Sequence, residues 1–303
     1  MIYCFLNINL RGVFVNKTAK ILTCITVIII CIAVGVGLYF NLQHNNIEQN
    51  TEANSDISTA KVSKYQSYID KNNDFVGYIK IDGTDIDYPV VQSEDDEFYL
   101  THNFDKEEEE RGAIYMSCEC NPSELDFNTV IYGHNWLDNT VFSQLVKYDD
   151  IEFYKEHPII TFDGIYDNRQ WKIFAVFITN ADESEDNGYV FNYIYPHLDG
   201  DNFDGYMSEV NKRTLYKTDV DVNKNDKILT LSTCSRKMDT QSYRADARIV
   251  VVARLVREGE STQVDVSEAK INTNPKYPQR YCDIMGITNA YANDEYWYPY
   301  ENE

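Results

Sequence analysis

The stretch ILTCITVIIICIAVGVGLYF, from Ile21 to Phe40, carries no charged residue. It is about long enough to cross a bilayer core as one helix. Arg11, Lys17 and Lys20 precede it, and no acidic residue comes before Glu48. The positive-inside rule therefore predicts a cytoplasmic N-terminus over residues 1–20, a single-pass anchor over 21–40, and everything beyond Asn41 outside the cell membrane. A cleaved signal peptide is the competing reading. It calls for a shorter apolar core and a small-residue cleavage site, whereas this run ends Leu38-Tyr39-Phe40-Asn41-Leu42.

Beyond the run, residues 41–55 (NLQHNNIEQNTEANS) are polar and read as a linker. Ile57, Val62, Tyr65, Tyr68 and Ile69 are spaced as on an amphipathic helix that opens a folded domain over 56–258. Residues 259–303 turn polar and lose any sustained period, and we expect an extension outside the core, with docking of its aromatics on the domain as the alternative. The chain has 27 basic against 49 acidic residues, a net charge of −22. Such a balance argues against nucleic acid as a partner and favours cationic ones.

Within the domain the apolar runs are short. VGYIKIDGTDIDYPVVQ reads as two strands joined by a turn at Asp82-Gly83-Thr84-Asp85. Further strands are predicted at 113–116, 129–132, 159–162, 171–179, 228–233 and 249–255, and helices near 140–148 and 201–212. Many strands and few helices predict a mainly β protein, an antiparallel barrel or sandwich. Seven cysteines do not form a framework in a domain of this size. Cys118 and Cys120 are expected on a strand as free thiols, and neither a metal site nor a cofactor is expected. The acidic run Asp105 to Glu110 reads as a solvated loop.

Chemistry concentrates in two places. If the strands at 228–233 and 249–255 pair antiparallel, Cys234 and Arg248 become neighbours, a thiol beside a fixed positive charge. A nucleophilic cysteine needs a base. His44 lies in the linker, and His157 and His197 adjoin prolines, which leaves His102 and His134. His134 follows a strand and a glycine in NTVIYGHNW, so that its ring can project from a rigid edge. Arg236 and Arg244 compete with Arg248 for the cationic role. Arg248 is favoured because it adjoins the strand.

In order along the chain, VGYIKIDGTDIDYPVVQ, YLTHNFD, NTVIYGHNW, TLSTC and an arginine ahead of IVVVARLV resemble the sortases, class B in particular, from about Asp74 to Val256. The resemblance implies a closed eight-stranded β-barrel with peripheral helices. It implies Cys234 as nucleophile, His134 as general acid and base, and Arg248 as oxyanion stabiliser, and it aligns Leu100, Tyr193, Ile194 and Ser232 with a peptide groove. It further implies a transpeptidase at the outer membrane face of a Gram-positive bacterium. Such an enzyme cleaves an Asn-Pro-X-Thr-X sorting signal on secreted proteins through a thioester and passes them to an amine of the lipid-linked peptidoglycan precursor. The alternatives are a pilin-polymerising relative, a hydrolase, and a weakly active binding protein on the same scaffold. Asn274-Pro275-Lys276-Tyr277-Pro278 begins like a sorting signal, which raises the expectation that the tail visits its own groove; an interaction arm is the alternative.

Overall fold

A computed structural model describes residues 64–299 apart from Tyr166 and Asp199. The expected anchor and linker lie outside the described residues.

The core is a barrel of eight strands. Along the chain they are β1 (Phe75–Lys80), β2 (Asp87–Val91), β3 (Ile114–Met116), β4 (Asn128–Tyr132), β5 (Ile159–Gly164), β6 (Gln170–Asn180), β8 (Ile228–Ser235) and β9 (Ala247–Leu255). They close in the order β1-β2-β3-β4-β8-β9-β6-β5. β4 runs parallel to β8, and β8 antiparallel to β9. A two-stranded ribbon lies apart, β7 (Tyr216–Lys217) with β10 (Lys270–Ile271). The β1–β2 turn has Gly83 at φ +80°, a left-handed conformation natural to glycine, and its ends are tied by the Ile81 N–H on the Ile86 carbonyl at 2.9 Å.

Alternation along the strands sorts residues into two layers. Leu229, Leu231, Val251, Ala253, Ile173 and Trp171 fill the barrel interior. Ile228, Val250, Val252, Phe174 and Phe177 face outward, where α3 (Gly200–Arg213) covers them. Phe203, Tyr206 and Val210 form the covering stripe of that helix, at helical spacing. Lys212 and Arg213 sit in its last turn, where the helix dipole favours cations. Helix α1 (64–71) packs beside the first hairpin, with Tyr65 stacked on Tyr78 at 5.7 Å. α2 (Ile151–Glu156) starts at Asp150, whose side chain accepts the Glu152 N–H at 2.9 Å.

Several local expectations change. The helix expected at 140–148 is a 3-10 turn, Ser143–Asp149. Phe142, Leu145 and Tyr148 are all fully buried, and their three-residue spacing fits three residues per turn better than 3.6. Cys118 and Cys120 lie in a turn after β3, one exposed and one buried. Their thiols are free. The β8 strand runs through Cys234 to Ser235, and β9 begins before Arg248. Residues 259–299 fold back onto the barrel and supply β10 and α4 (Gln279–Met285). Lys276 lies buried against Glu209 at 3.1 Å, so the sorting-signal-like segment is held against α3 and does not occupy a groove at Cys234.

Candidate active site

Strand register brings the reactive groups together. Antiparallel pairing sets Cys234 directly opposite Arg248, so both side chains stand on one face of the sheet. On the other flank, parallel pairing aligns Tyr132 with Ser232. Two residues on from each lie His134, just past the end of β4, and Cys234, still within β8, and both border one cleft. Short bonds hold the chain there past the end of β4. The Thr233 hydroxyl donates to the Gly133 carbonyl at 2.7 Å, and the Asn135 amide donates to the Cys234 carbonyl at 2.8 Å.

His134 is oriented by its Nε2, 2.9 Å from the Leu100 carbonyl. A carbonyl can only accept, so Nε2 carries the proton and Nδ1 is the basic atom of the neutral ring. Gly112 makes this approach possible. At φ +60° it packs so closely under the Tyr99 and Leu100 carbonyls that a Cβ would fall 2.3 Å from the former. His102, the other candidate base, stacks on Phe98 at 4.1 Å and bonds the Phe98 carbonyl through Nδ1 at 2.8 Å. Its ring is thereby committed to the 3-10 turn Phe98–Leu100.

Arg248 is half-buried and bonds the Asp246 carboxylate and the Ala247 carbonyl, the latter at 3.2 Å. Burial works against its charge, yet Cys234, Tyr193 and Asp246 nearby push its pKa further up, so it stays a cation. A cleft of about 570 Å³ opens beside these groups, lined by His134, Asn135, Trp136, Cys234, and by Arg236 and Arg244 from the β8–β9 loop. Arg236 and Arg244 therefore border the cleft, while Arg248 faces the thiol from the neighbouring strand.

The four groove residues divide into two pairs. Leu100 and Ile194 are exposed on the surface. Tyr193 and Ser232 are buried, their hydroxyls 2.9 Å apart, on the same face of β8 as Cys234. Burial pushes the Tyr193, Tyr115 and Tyr132 hydroxyls up, which keeps all three neutral. Sequence reasoning missed Asn135, Asp246 and Tyr115. Asn135 stands inside the NTVIYGHNW stretch, and Asp246 is two residues before Arg248. Tyr115 carries no local signal.

The arrangement can support nucleophilic acyl transfer: a half-buried thiol, an imidazole with one free basic nitrogen, and a fixed cation. Residues 79–256 match the family model described as the sortase domain. The chain is 33% identical over 231 residues to sortase B of Listeria monocytogenes serovar 1/2a, covering 74% of this chain and 89% of that one. It is 31% identical over 255 residues to sortase B of Staphylococcus aureus, covering 80% and 99%. A Staphylococcus aureus sortase B solved as a substrate complex superposes with a TM-score of 0.57 at 31% identity, over 68% of this chain and 94% of that one.

Proposed function

This chain belongs to the class B sortases, which are cysteine transpeptidases, and on that premise we propose that Cys234, His134 and Arg248 carry out the acyl transfer. The single observation behind this reading is the strand register that sets Arg248 opposite Cys234, with His134 two residues past the Tyr132–Ser232 pair on the parallel neighbour.

In the first half-reaction the Cys234 thiol gives its proton to His134 Nδ1 as the sulfur attacks the carbonyl carbon of the scissile peptide bond. Arg248 donates to the oxygen as negative charge collects there. The C–N bond then breaks, the departing amine takes a proton from His134, and a thioester remains on Cys234. An incoming amine gives its proton back to His134 and attacks the thioester. The C–S bond breaks, the acyl group leaves on the new amide, and the Cys234 sulfur takes the proton back from His134. Leu100 and Ile194 supply exposed apolar contacts for the peptide, and the Tyr193–Ser232 pair stiffens the floor behind Cys234.

The substrate in this proposal is a secreted protein with a C-terminal Asn-Pro-X-Thr-X signal, and the acceptor is an amine of the lipid-linked peptidoglycan precursor. The apolar run 21–40 anchors the enzyme with its catalytic domain outside. The test is mass spectrometry of the protein incubated with an Asn-Pro-Gln-Thr-type peptide and, separately, a Leu-Pro-X-Thr-Gly peptide. An acyl adduct on Cys234 from the Asn-Pro peptide alone, absent in Cys234→Ala, is the expected result. An adduct only from the Leu-Pro peptide would overturn the substrate, and none from either would overturn the activity.

A further inference from the structure

The loop over residues 236–246 joins the strand of Cys234 to the strand of Arg248 and forms one wall of the cleft. Internally it is tied at its tip, where the Ala245 N–H donates to Asp239 at 2.9 Å and the Thr240 N–H to the Tyr243 carbonyl at 2.8 Å. Asp239 also bonds back to Arg236, by its N–H on the Arg236 carbonyl at 3.2 Å, and further support comes from outside. Glu185, in the turn after β6, is 2% exposed and accepts from the Asp246 N–H at 3.0 Å and the Tyr243 hydroxyl at 3.2 Å.

The second support is α4, which lies beyond the segment matched by the sortase domain. Arg280 Nε donates to the Met238 carbonyl at 3.2 Å, and its guanidinium sits 4.0 Å from the centre of the Tyr243 ring. Tyr281 packs on Met238, Ala245 and Ala247, of which Met238 and Ala247 are fully buried. The two supports are joined, because Asp186 accepts the Gln279 N–H at 2.8 Å. The C-terminal segment is itself fixed at a distance. Lys276 and Asp294 join the ion cluster of Glu209 and Lys212 on α3, and Trp297 packs against Gly205.

We propose that the C-terminal segment 259–299 is a brace for the catalytic loop, with Arg280, Tyr281 and Glu185 as positioning residues that act through Asp246 on Arg248. The inference rests on the reading of Cys234 and Arg248 as the reacting pair. An exposed loop of this length samples many conformations unless its side chains are held. Here the backbone N–H of Asp246 is fixed by Glu185 and its carboxylate holds the guanidinium of Arg248, so a displaced loop displaces the cation. Misplacing a catalytic group by about 1 Å can cost up to about 100-fold in rate.

The experiment compares full-length wild type, Arg280→Ala, Tyr281→Ala and the conservative Tyr281→Phe, all in detergent micelles. Three quantities are read: peptide turnover, amide hydrogen exchange over 236–246, and alkylation of Cys234 by iodoacetamide followed by peptide mass. Arg280→Ala and Tyr281→Ala should each lower kcat about 10-fold. KM for the sorting peptide should stay within about twofold of wild type, exchange over 236–246 should quicken, and Cys234 alkylation should change about threefold. Tyr281→Phe should match wild type in all three, and exchange in β1 and β2 should not move. Unchanged loop exchange and alkylation in both alanine variants would overturn the brace. So would faster loop exchange with unchanged kcat, or a kcat loss accompanied by faster exchange throughout the barrel. Exchange and alkylation need no substrate, so a wild-type enzyme inert to every peptide would count against the proposed activity while these two readouts still judged the brace.

Discussion

At the residue scale the question is which arginine meets the developing oxyanion. Arg236 and Arg244 line the cleft from a loop, whereas Arg248 stands on a strand directly across from the thiol. A strand position loses less order than a loop tip, so the donor arrives already aimed. Arg248→Ala should therefore lower kcat for acyl-enzyme formation by about 100-fold or more, the usual loss of one oxyanion donor. Arg248→Lys should recover little, because a single ammonium cannot reproduce the planar fork. Arg244→Ala should cost under about tenfold if that side chain only borders the cleft. Single-turnover thioester formation followed by quenched mass spectrometry measures all three, and a larger loss in Arg244→Ala than in Arg248→Ala would reverse the assignment. The neighbourhood of Cys234 and Arg248 was legible from sequence, because an alternating run and a buried-strand run on either side of a loop imply an antiparallel pair. The Asn135 tie to the Cys234 carbonyl was not, since it exists only once β4 and β8 are known to be parallel and in register.

At the scale of elements, the junction after β4 decides where the base stands. Gly133 joins the strand to His134 where a Cβ would lie 2.4 Å from Ile114 Cδ1 and 2.9 Å from the Phe142 ring. Phe142 is fully buried at the head of the 3-10 turn, so it has little room to yield. Gly133→Ala should destabilise the protein by about 1–3 kcal/mol, in line with other overpacked cores. It should also displace His134, lowering kcat more than a stability loss alone explains at temperatures where the variant is fully folded. Thermal melts combined with kinetics at 25 °C separate the two effects, and a variant with wild-type melting would refute the close-packing account. Strands were the most readable elements because period-two alternation survives in short windows. The helical segment expected near 140–148 is present as the 3-10 helix Ser143–Asp149, and its type was not legible because only the burial of Phe142, Leu145 and Tyr148 distinguishes a period of three from 3.6. Cys118 and Cys120 were misread because β3 is three residues long and stops at Met116.

At the scale of the whole molecule, the unexpected element is the C-terminal segment. Its polar composition reads as an extension outside the core, yet it is attached both by aromatic side chains, Trp297 against Phe191 and Tyr206 and Tyr296 stacked on Tyr189, and by buried ion pairs. Lys276 is buried against Glu209 of α3, where Arg213 and Lys212 also converge. The aromatic part of this docking is visible in the tail's tyrosines and tryptophan, but a hydrophobic pattern cannot reveal the buried ion pairs, because the same charged residues in isolation describe a solvated tail. Burial alone would push the Glu209 carboxyl up; Arg213, Lys212 and Lys276 outweigh it and hold the group down at about 2, against an ordinary value of 4.5. A carboxylate depressed in the folded state contributes stability that is fully present above pH about 4.5 and is lost as pH falls through about 2. Lys276→Ala removes one of three cations, so Glu209 should ionise less readily and the stabilising window should narrow from its acid side. The expected result is a loss of about 2 kcal/mol at pH 7 and an acid-unfolding midpoint moved to higher pH. Below pH about 2 the wild-type and variant stabilities should converge, because Glu209 is protonated in both. Urea titrations at pH 7 and at pH about 1, followed by circular dichroism, measure this. Equal stability of the two proteins at pH 7 would mean that the Lys276–Glu209 pair does not hold the C-terminal segment to the barrel.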